Sequence, residues 1–266
     1  MLEMLSFSFF QNALIAALLV SIACGIIGSL VIINRLFSMA GGITHGAFGG
    51  VGIGVFFGIN FLLATSAFTL FLALIAAYLS QKFPHRSDNI IAVLWAFGMA
   101  LGLILIDLSP GYQNDLMAYL FGSILAVSSE DLWLMGAVSA AFVLLVGLFY
   151  RQFEALSYDA EFARLRGIHT GFFYYLLIIM IAFCIVISIR VVGLILVIAL
   201  LSIPCFIAEK FTKKLGMTMF FSCFLSVVFS LLGLILSIIF DLSSGASIIM
   251  VACTGFVLSL FFKKIK

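Results

Sequence analysis

Long runs of apolar residues restrict this chain more than any other feature of its sequence. A helix needs about 20 mostly apolar residues to cross the hydrocarbon core of a bilayer. Nine runs approach this length: 10–33, 42–60, 61–80, 90–107, 130–150, 170–189, 191–208, 217–240 and 245–262. Only 9% of the residues are charged, too few to coat a soluble protein of 266 residues. We therefore predict an all-α polytopic membrane protein in which residues 1–266 form a single transmembrane domain.

One further apolar segment, residues 115–127, is too short for a full crossing. It fits a half-inserted segment or part of a bent span. The prediction is therefore about nine transmembrane helices, with eight to ten as the range.

The basic residues indicate an orientation for these spans. With nine crossings, twelve of the 13 Lys and Arg residues fall on one side of the membrane, and only Arg190 falls on the other. Cytoplasmic loops are enriched in Lys and Arg. We therefore expect a multi-pass protein of a cytoplasmic membrane, with its N terminus outside and its C terminus in the cytoplasm. The opposite face is acidic, which either reflects the exclusion of cations there or raises the local cation concentration.

The longest polar stretch between spans, about residues 151–169, lies on the cytoplasmic side and is predicted to contain a short helix. Its pattern is a serine as N-cap, acidic residues in the first turn, two apolar residues on one face, a cation in the last turn and a glycine stop. These residues are Ser157, Asp159, Glu161, Phe162, Arg164, Leu165 and Gly167. One interpretation is an amphipathic connector on the membrane surface.

The second span is rich in glycine. Four glycines repeat every four residues on one helix face: Gly46, Gly50, Gly54 and Gly58. Small residues at this spacing let helices approach closely in lipid. We therefore predict that this helix packs inside the bundle.

His45 lies on the same span, ten residues after Arg35, which places it roughly 15 Å into the membrane. An ionisable residue at that depth is a functional candidate, and histidine is the commonest metal ligand. The alternative is a neutral histidine bonded to a neighbouring helix. Cys24 comes out at a similar depth on the preceding span, and a thiolate near an imidazole would suit zinc. The alternative for Cys24 is an inert buried thiol.

Several catalytic motifs are absent from the sequence. The chain contains no Gly-Lys pair and therefore no phosphate-binding loop, and it has no HExxH or GxSxG motif. We predict a transport subunit and neither an enzyme nor a nucleic-acid-binding protein. If ATP drives transport, a separate subunit hydrolyses it.

Five stretches, in order and in register, resemble the permease of bacterial zinc, manganese and iron ABC importers, and most closely the high-affinity zinc uptake permease. They are NRLFSMAGGITHGAFGGVGIG (34–54), DLMAYLFGSILAVSSEDL (115–132), DAEFARLRGI (159–168), VVGLILVIALLSIPCFIAEKF (191–211) and SSGASIIMVACTGFVLSLFF (243–262).

The resemblance implies an assembly of two permease copies, two cytoplasmic ATP-binding subunits and an extracytoplasmic metal-binding protein, with no permanently bound cofactor. It implies that the 157–168 helix is the coupling helix that docks on the ATPase. It also places His45 in the metal pathway. Many family members carry an Asp four residues before this histidine, where this chain has Gly41. His45 would then act with Cys24, Met39, backbone carbonyls or the second copy, or the pathway would barely coordinate the ion.

The resemblance favours zinc as the transported ion, with manganese or ferrous iron as the alternative. Two other classes stay open: a secondary transporter or channel, which usually carries charged residues at the membrane midplane, and a membrane protein that only scaffolds a complex.

Overall fold

The computed structural model describes residues 8–109 and 127–262, which fold into eleven α-helices without a β-strand. In chain order they are α1 Ser8–Ile33, α2 Phe37–Gly46, α3 Phe48–Phe57, α4 Phe61–Lys82, α5 Ser87–Asp107, α6 Ser129–Leu148, α7 Tyr150–Tyr158, α8 Ala160–Leu165, α9 Thr170–Phe211, α10 Leu215–Phe240 and α11 Ser244–Leu260. A 3₁₀ turn, Pro84–Arg86, precedes α5.

Eight helical stretches in the described ranges are long and apolar enough to cross a membrane. They are Phe9–Ile33, Phe37–Phe57, Phe61–Lys82, Pro84–Asp107, Ser129–Leu148, Thr170–Ile189, Val192–Phe211 and Leu215–Phe240. The shorter apolar helix Ser244–Leu260 coincides with the ninth predicted run. The prediction of an all-α polytopic protein is therefore confirmed. Both chain ends and residues 115–126 of the short apolar segment lie outside the described residues, so the orientation of the termini stays a prediction.

The second and the seventh spans are not single regular helices that follow the predicted apolar runs. The second span starts at Phe37, five residues before the predicted boundary, and consists of α2 and α3 on either side of Ala47. Helix α9 contains two spans separated at Gly193, whose φ of 76° and ψ of 167° are not helical. Glycine adopts this positive φ without the steric cost that a Cβ atom would add.

Helix α1 forms the centre of the bundle and packs against α9 and α10. Pairs of serines join α1 and α10 in the interior. Ser21 Oγ lies 3.2 Å from Ser230 Oγ, and Ser29 Oγ lies 3.0 Å from Ser222 Oγ. These contacts satisfy hydroxyls that have no access to water.

The predicted glycine face packs against α4. A Cβ atom added at Gly46 would overlap the Leu72 side chain, and one at Gly50 would lie 2.7 Å from the Thr65 Cα atom. At Gly54 the added atom would be in ordinary contact with α4. The prediction of close packing is wrong for Gly58, because a Cβ atom added there would meet no atom within 4 Å. Gly58 instead ends α3 in the left-handed conformation, with φ 61°.

A second glycine face of the same span packs against α5. A Cβ at Gly98 would lie 2.5 Å from the Gly46 carbonyl oxygen, and one at Gly102 would overlap the Phe48 carbonyl oxygen. A Cβ at Gly52 would in turn lie 2.5 Å from the carbonyl oxygen of Gly102. The α2–α3 span therefore touches α5 backbone to backbone, which brings His45 beside α5.

Candidate functional site

His45 lies in the last turn of α2 and stacks on Trp95 of α5. The two ring centroids are 4.5 Å apart and the ring planes differ by 10°. Within the described part of the chain, the buried Nδ1 atom of His45 has no hydrogen-bond partner. Among the described residues, no group of a neighbouring helix forms a hydrogen bond with this nitrogen. The alternative of a neutral histidine bonded to a neighbouring helix therefore has no support at Nδ1. A neutral imidazole offers one nitrogen lone pair to a metal ion.

His45 opens into a cavity of about 340 Å³ between α2, α5 and α9. Its wall includes Gly41 and His45 from α2, Asp88 and Trp95 from α5, and Ile198 from α9. A Cβ atom at Gly41 would meet no atom within 4 Å, so the site of the family's usual Asp is open space here. The wall of the cavity thus carries an imidazole and a carboxylate from two different helices.

Cys24 lies elsewhere in the bundle. It is fully buried, its Sγ atom is 3.8 Å from Ser188 Oγ, and its carbonyl oxygen is 3.8 Å from the Cys205 Sγ atom. Cys24 is not among the residues that line the His45 cavity. The structure therefore does not bring Cys24 and His45 together, because α1 turns this thiol toward α9. In the described ranges, no group of three or more His, Cys, Asp or Glu side chains is arranged to hold a metal ion.

The polar loop forms two short helices, α7 and α8, joined at Asp159. The prediction of Ser157 as N-cap is wrong: Ser157 lies inside α7, and its hydroxyl accepts a hydrogen bond of 2.8 Å from Asn34 Nδ2. Asp159 caps α8 instead, because its carboxylate accepts a 2.9 Å hydrogen bond from the Phe162 amide. Gly167 follows α8 with φ 81°, as expected of a helix stop.

Helix α8 presents apolar side chains to its surroundings. Leu165 is 86% exposed and Phe162 is 50% exposed, while the Arg166 guanidinium lies 4.9 Å from the centroid of the Phe162 ring. Phe153 of α7, in contrast, is completely buried. The loop therefore anchors α7 in the bundle and leaves two apolar side chains of α8 exposed.

Two tyrosines tie α7 to the start of α10. The Gly216 amide donates to the Tyr150 oxygen at 2.9 Å, and the Tyr158 hydroxyl donates to the Lys213 carbonyl oxygen at 3.4 Å. Burial, and then the carboxylates of Glu154 and Glu209, raise the pKa of Tyr158. The phenol consequently stays protonated and keeps this hydrogen bond at neutral pH.

Three of these residues were not predicted from the sequence: Trp95, Asp88 and Asn34. Trp95 and Asp88 join the site only because α5 lies against α2, and no spacing along the chain reveals that neighbour. A partial signal existed, since Gly98 and Gly102 form a small-xxx-small pair on α5 that could have matched the glycines of the second span.

Residues 6–263 match the ABC 3 transport family. An uncharacterised membrane protein of Synechocystis is 44% identical over 99% of this chain and 94% of its own length. The manganese transport system membrane protein MntC of Halalkalibacterium halodurans is 35% identical, over 98% of this chain and 89% of its own length. MntC of Listeria monocytogenes is 33% identical, over 97% and 92%.

Solved structures agree with this assignment. A chain of PsaBC from Streptococcus pneumoniae, determined in complex with a Fab, superimposes with a TM-score of 0.89 at 32% identity and covers 98% of this chain and 95% of that one. A putative metal-chelate type ABC transporter in an inward-facing conformation shares the fold, with a TM-score of 0.72 at 17% identity. Because the family match and the full-length relatives cover nearly every residue, the chain belongs to the ABC 3 transport family.

Proposed function

We propose that this protein is the permease subunit of an ATP-driven importer that moves a divalent transition metal across the cytoplasmic membrane, with manganese as the favoured ion. The observation that carries the proposal is the His45 cavity: an imidazole with an unpaired buried nitrogen faces a cavity among apolar, membrane-length helices. A polar group left unpaired in such a place costs free energy unless a ligand or water satisfies it.

Manganese fits this site better than zinc does. Zinc sites commonly use thiolate and imidazole ligands, whereas carboxylate, carbonyl and water oxygens suit manganese. The only thiol that the sequence suggested as a ligand, Cys24, does not line the cavity, while the carboxylate of Asp88 does. The names of the full-length relatives from H. halodurans and L. monocytogenes also favour the manganese alternative over our preference for zinc.

The partners follow from the cytoplasmic surface and the family. We propose that α8 docks on the ATP-binding subunit through Phe162 and Leu165, with Asp159, Glu161 and Arg164 making polar contacts and Gly167 ending the helix. Exposed apolar anchors surrounded by polar groups are typical of interface hot spots. A secondary transporter would have no use for such a docking helix. Two permease copies, two ATPase copies and an extracytoplasmic metal-binding protein complete the proposed assembly.

The test is uptake by the permease reconstituted with its ATPase in proteoliposomes. Mn²⁺, Zn²⁺ and Fe²⁺ are supplied in separate experiments, each together with ATP and the extracytoplasmic metal-binding protein. We expect ATP-dependent uptake in which Mn²⁺ is accumulated fastest. Uptake that proceeds without the ATPase would contradict the proposed class, and faster uptake of Zn²⁺ would return the preference to zinc.

Phe162→Ala tests the coupling role separately. Phe83→Ala is the matched control, because Phe83 is 47% exposed at the cytoplasmic end of α4 and is not part of α8. We expect Phe162→Ala to weaken ATPase association by roughly 30-fold, the loss expected for one hot-spot side chain, and Phe83→Ala to leave it unchanged. Equal association of both variants with the ATPase would argue that α8 is only a connector.

A further inference from the structure

A second cavity, of about 300 Å³, adjoins the His45 cavity at the N-terminal end of α2, the end that the basic residues predict to be cytoplasmic. Its wall includes Arg35, Ser80, Gln81 and Tyr174. The two cavities share three lining residues: Ser38, Asp88 and Ile91. They therefore meet at the start of α5, where Asp88 is the one carboxylate among the lining residues of either cavity.

Asp88 lies below His45 on the cytoplasmic side. Helices α2 and α5 run side by side in the same direction, since Gly42 faces Ile91 and Gly46 faces Gly98. Asp88 is seven residues before Trp95, the residue that stacks on His45, which corresponds to about 10 Å along the helix axis. An ion that leaves His45 toward the cytoplasm along this wall would reach Asp88 next.

The second cavity contains an unsatisfied polar group of its own. Ser80 is only 8% exposed, and its buried hydroxyl oxygen has no hydrogen-bond partner in the part of the chain that the structure describes. A buried hydroxyl of this kind needs water or a ligand to satisfy it. Hydration of the second cavity would supply that partner, and it would also let a metal ion regain water ligands as it leaves.

The charges on the wall indicate where a cation would rest. Arg35 repels a cation from its side of the second cavity, whereas Asp88 attracts one to the junction. A transport route must also hold an ion weakly enough to release it. A single exposed carboxylate, such as that of Asp88, meets that requirement.

We propose that Asp88 is a cation-binding residue of the cytoplasmic half of the pathway, which takes the divalent metal ion from His45 and releases it through the Ser80 cavity. The inference rests on the proposed function.

The experiment uses two variants of the full complex, reconstituted with its ATPase. Asp88→Asn removes the charge. The double variant Asp88→Asn with Asn89→Asp keeps the net charge and moves the carboxylate one position around the helix, because Asn89 lines neither cavity and faces a separate groove with Leu79 and Arg86. Mn²⁺ bound to the complex without nucleotide is measured by electron paramagnetic resonance, and ATP-driven Mn²⁺ uptake is measured in parallel.

We expect both variants to lower Mn²⁺ uptake by about tenfold and to weaken the nucleotide-free binding of Mn²⁺, while complex assembly stays normal. Restored uptake in the charge-relocated variant would overturn the role of the Asp88 position and leave only a general electrostatic effect. Uptake and binding at wild-type levels in Asp88→Asn would overturn the inference while the proposed function stands. If the wild-type complex takes up none of the three metals, the proposed function itself fails.

Discussion

The half of the bundle built from α1, α9 and α10 differs from the half built from α2 to α5 in how its buried polar groups are paired. Both halves have close backbone contacts at glycines, such as Gly25 against Cys223 in the first and Gly98 against Gly46 in the second. In the first half, hydroxyls also pair across the interface, as between Ser21 and Ser230. In the second half, cavities open beside the close contacts, on the face that carries His45. We call these halves the core half and the pathway half.

Buried polar atoms separate the two halves further. Among the described residues, five buried side-chain atoms lack a hydrogen-bond partner, and four of them belong to the pathway half. These four are His45 Nδ1, Thr65 Oγ1, Thr69 Oγ1 and Ser80 Oγ, whereas Ser226 is the single case in the core half. Membrane proteins normally satisfy polar groups internally. Two of the four residues, His45 and Ser80, line the cavities described above, so in the pathway half part of the unpaired polar surface lies beside open space.

The largest expected effect is on the glycine contact of the pathway half. A methyl group at Gly102 would overlap the backbone carbonyl of Phe48, and a backbone atom cannot move aside as a side-chain tip can. Overpacking of this kind costs roughly 1–3 kcal/mol or more. We expect Gly102→Ala to lower the thermal midpoint of the detergent-solubilised protein strongly and to reduce the monodisperse yield.

Gly136→Ala is the control for this substitution, because an added Cβ on α6 there meets no atom within 4 Å. Its melting temperature should equal that of the wild type. If Gly102→Ala were as stable as Gly136→Ala, the backbone contact between α3 and α5 would not hold the pathway half together.

The second effect distinguishes the halves by function. His45→Ala removes the imidazole that faces the cavity, and we expect it to lower Mn²⁺ uptake by about tenfold, the equivalent of roughly 1.4 kcal/mol, without loss of folding or ATPase assembly. Cys24→Ala removes a buried thiol of the core half at a similar position along its span. Uptake should be unchanged in Cys24→Ala. Unimpaired uptake in His45→Ala for every metal tested would make His45 a packing residue.

The two halves also differ in how much the sequence could reveal. Apolar length alone located every predicted span, because lipid tolerates few charges over that distance. The depth of His45, inferred from its distance to Arg35, stays a prediction. The neighbours of His45 did not follow from the sequence, since Trp95 and Asp88 belong to a helix about 50 positions away, whose placement depends on glycine contacts between two spans. The prediction for Ser157 was wrong because local cap patterns cannot anticipate that Asn34, in the turn after α1, donates a hydrogen bond to the same hydroxyl.

A smaller effect should come from restoring the carboxylate that many relatives carry. Gly41 faces open space beside His45, so Gly41→Asp should fold normally and add an oxygen ligand one turn before the imidazole. We expect Mn²⁺ to be retained longer and the uptake rate to fall by a few fold, as measured by release of bound Mn²⁺ after dilution.

Gly42→Asp is the matched control on the adjacent position, where an added Cβ would overlap the Ile91 side chain. It should lower stability instead of altering Mn²⁺ release. A Gly41→Asp protein with unchanged Mn²⁺ retention would mean that the ion does not pass within reach of this helix turn.

The smallest expected effect lies in the core half, at the contact between Ser29 and Ser222. Ser29 Oγ donates to the Gly25 carbonyl oxygen at 2.7 Å and lies 3.0 Å from Ser222 Oγ. Interhelical hydrogen bonds in membrane proteins average about 0.6 kcal/mol, because the separated helices also find polar partners in the membrane. A double-mutant cycle of Ser29→Ala and Ser222→Ala, followed by denaturant unfolding in mixed micelles, should return a coupling free energy of this size. Mn²⁺ uptake should stay at the wild-type rate in all three variants, since neither serine lines the His45 cavity or the Ser80 cavity. A coupling free energy near zero would show that apolar packing alone holds the core half, and a change in uptake would show that the two halves are not functionally separate.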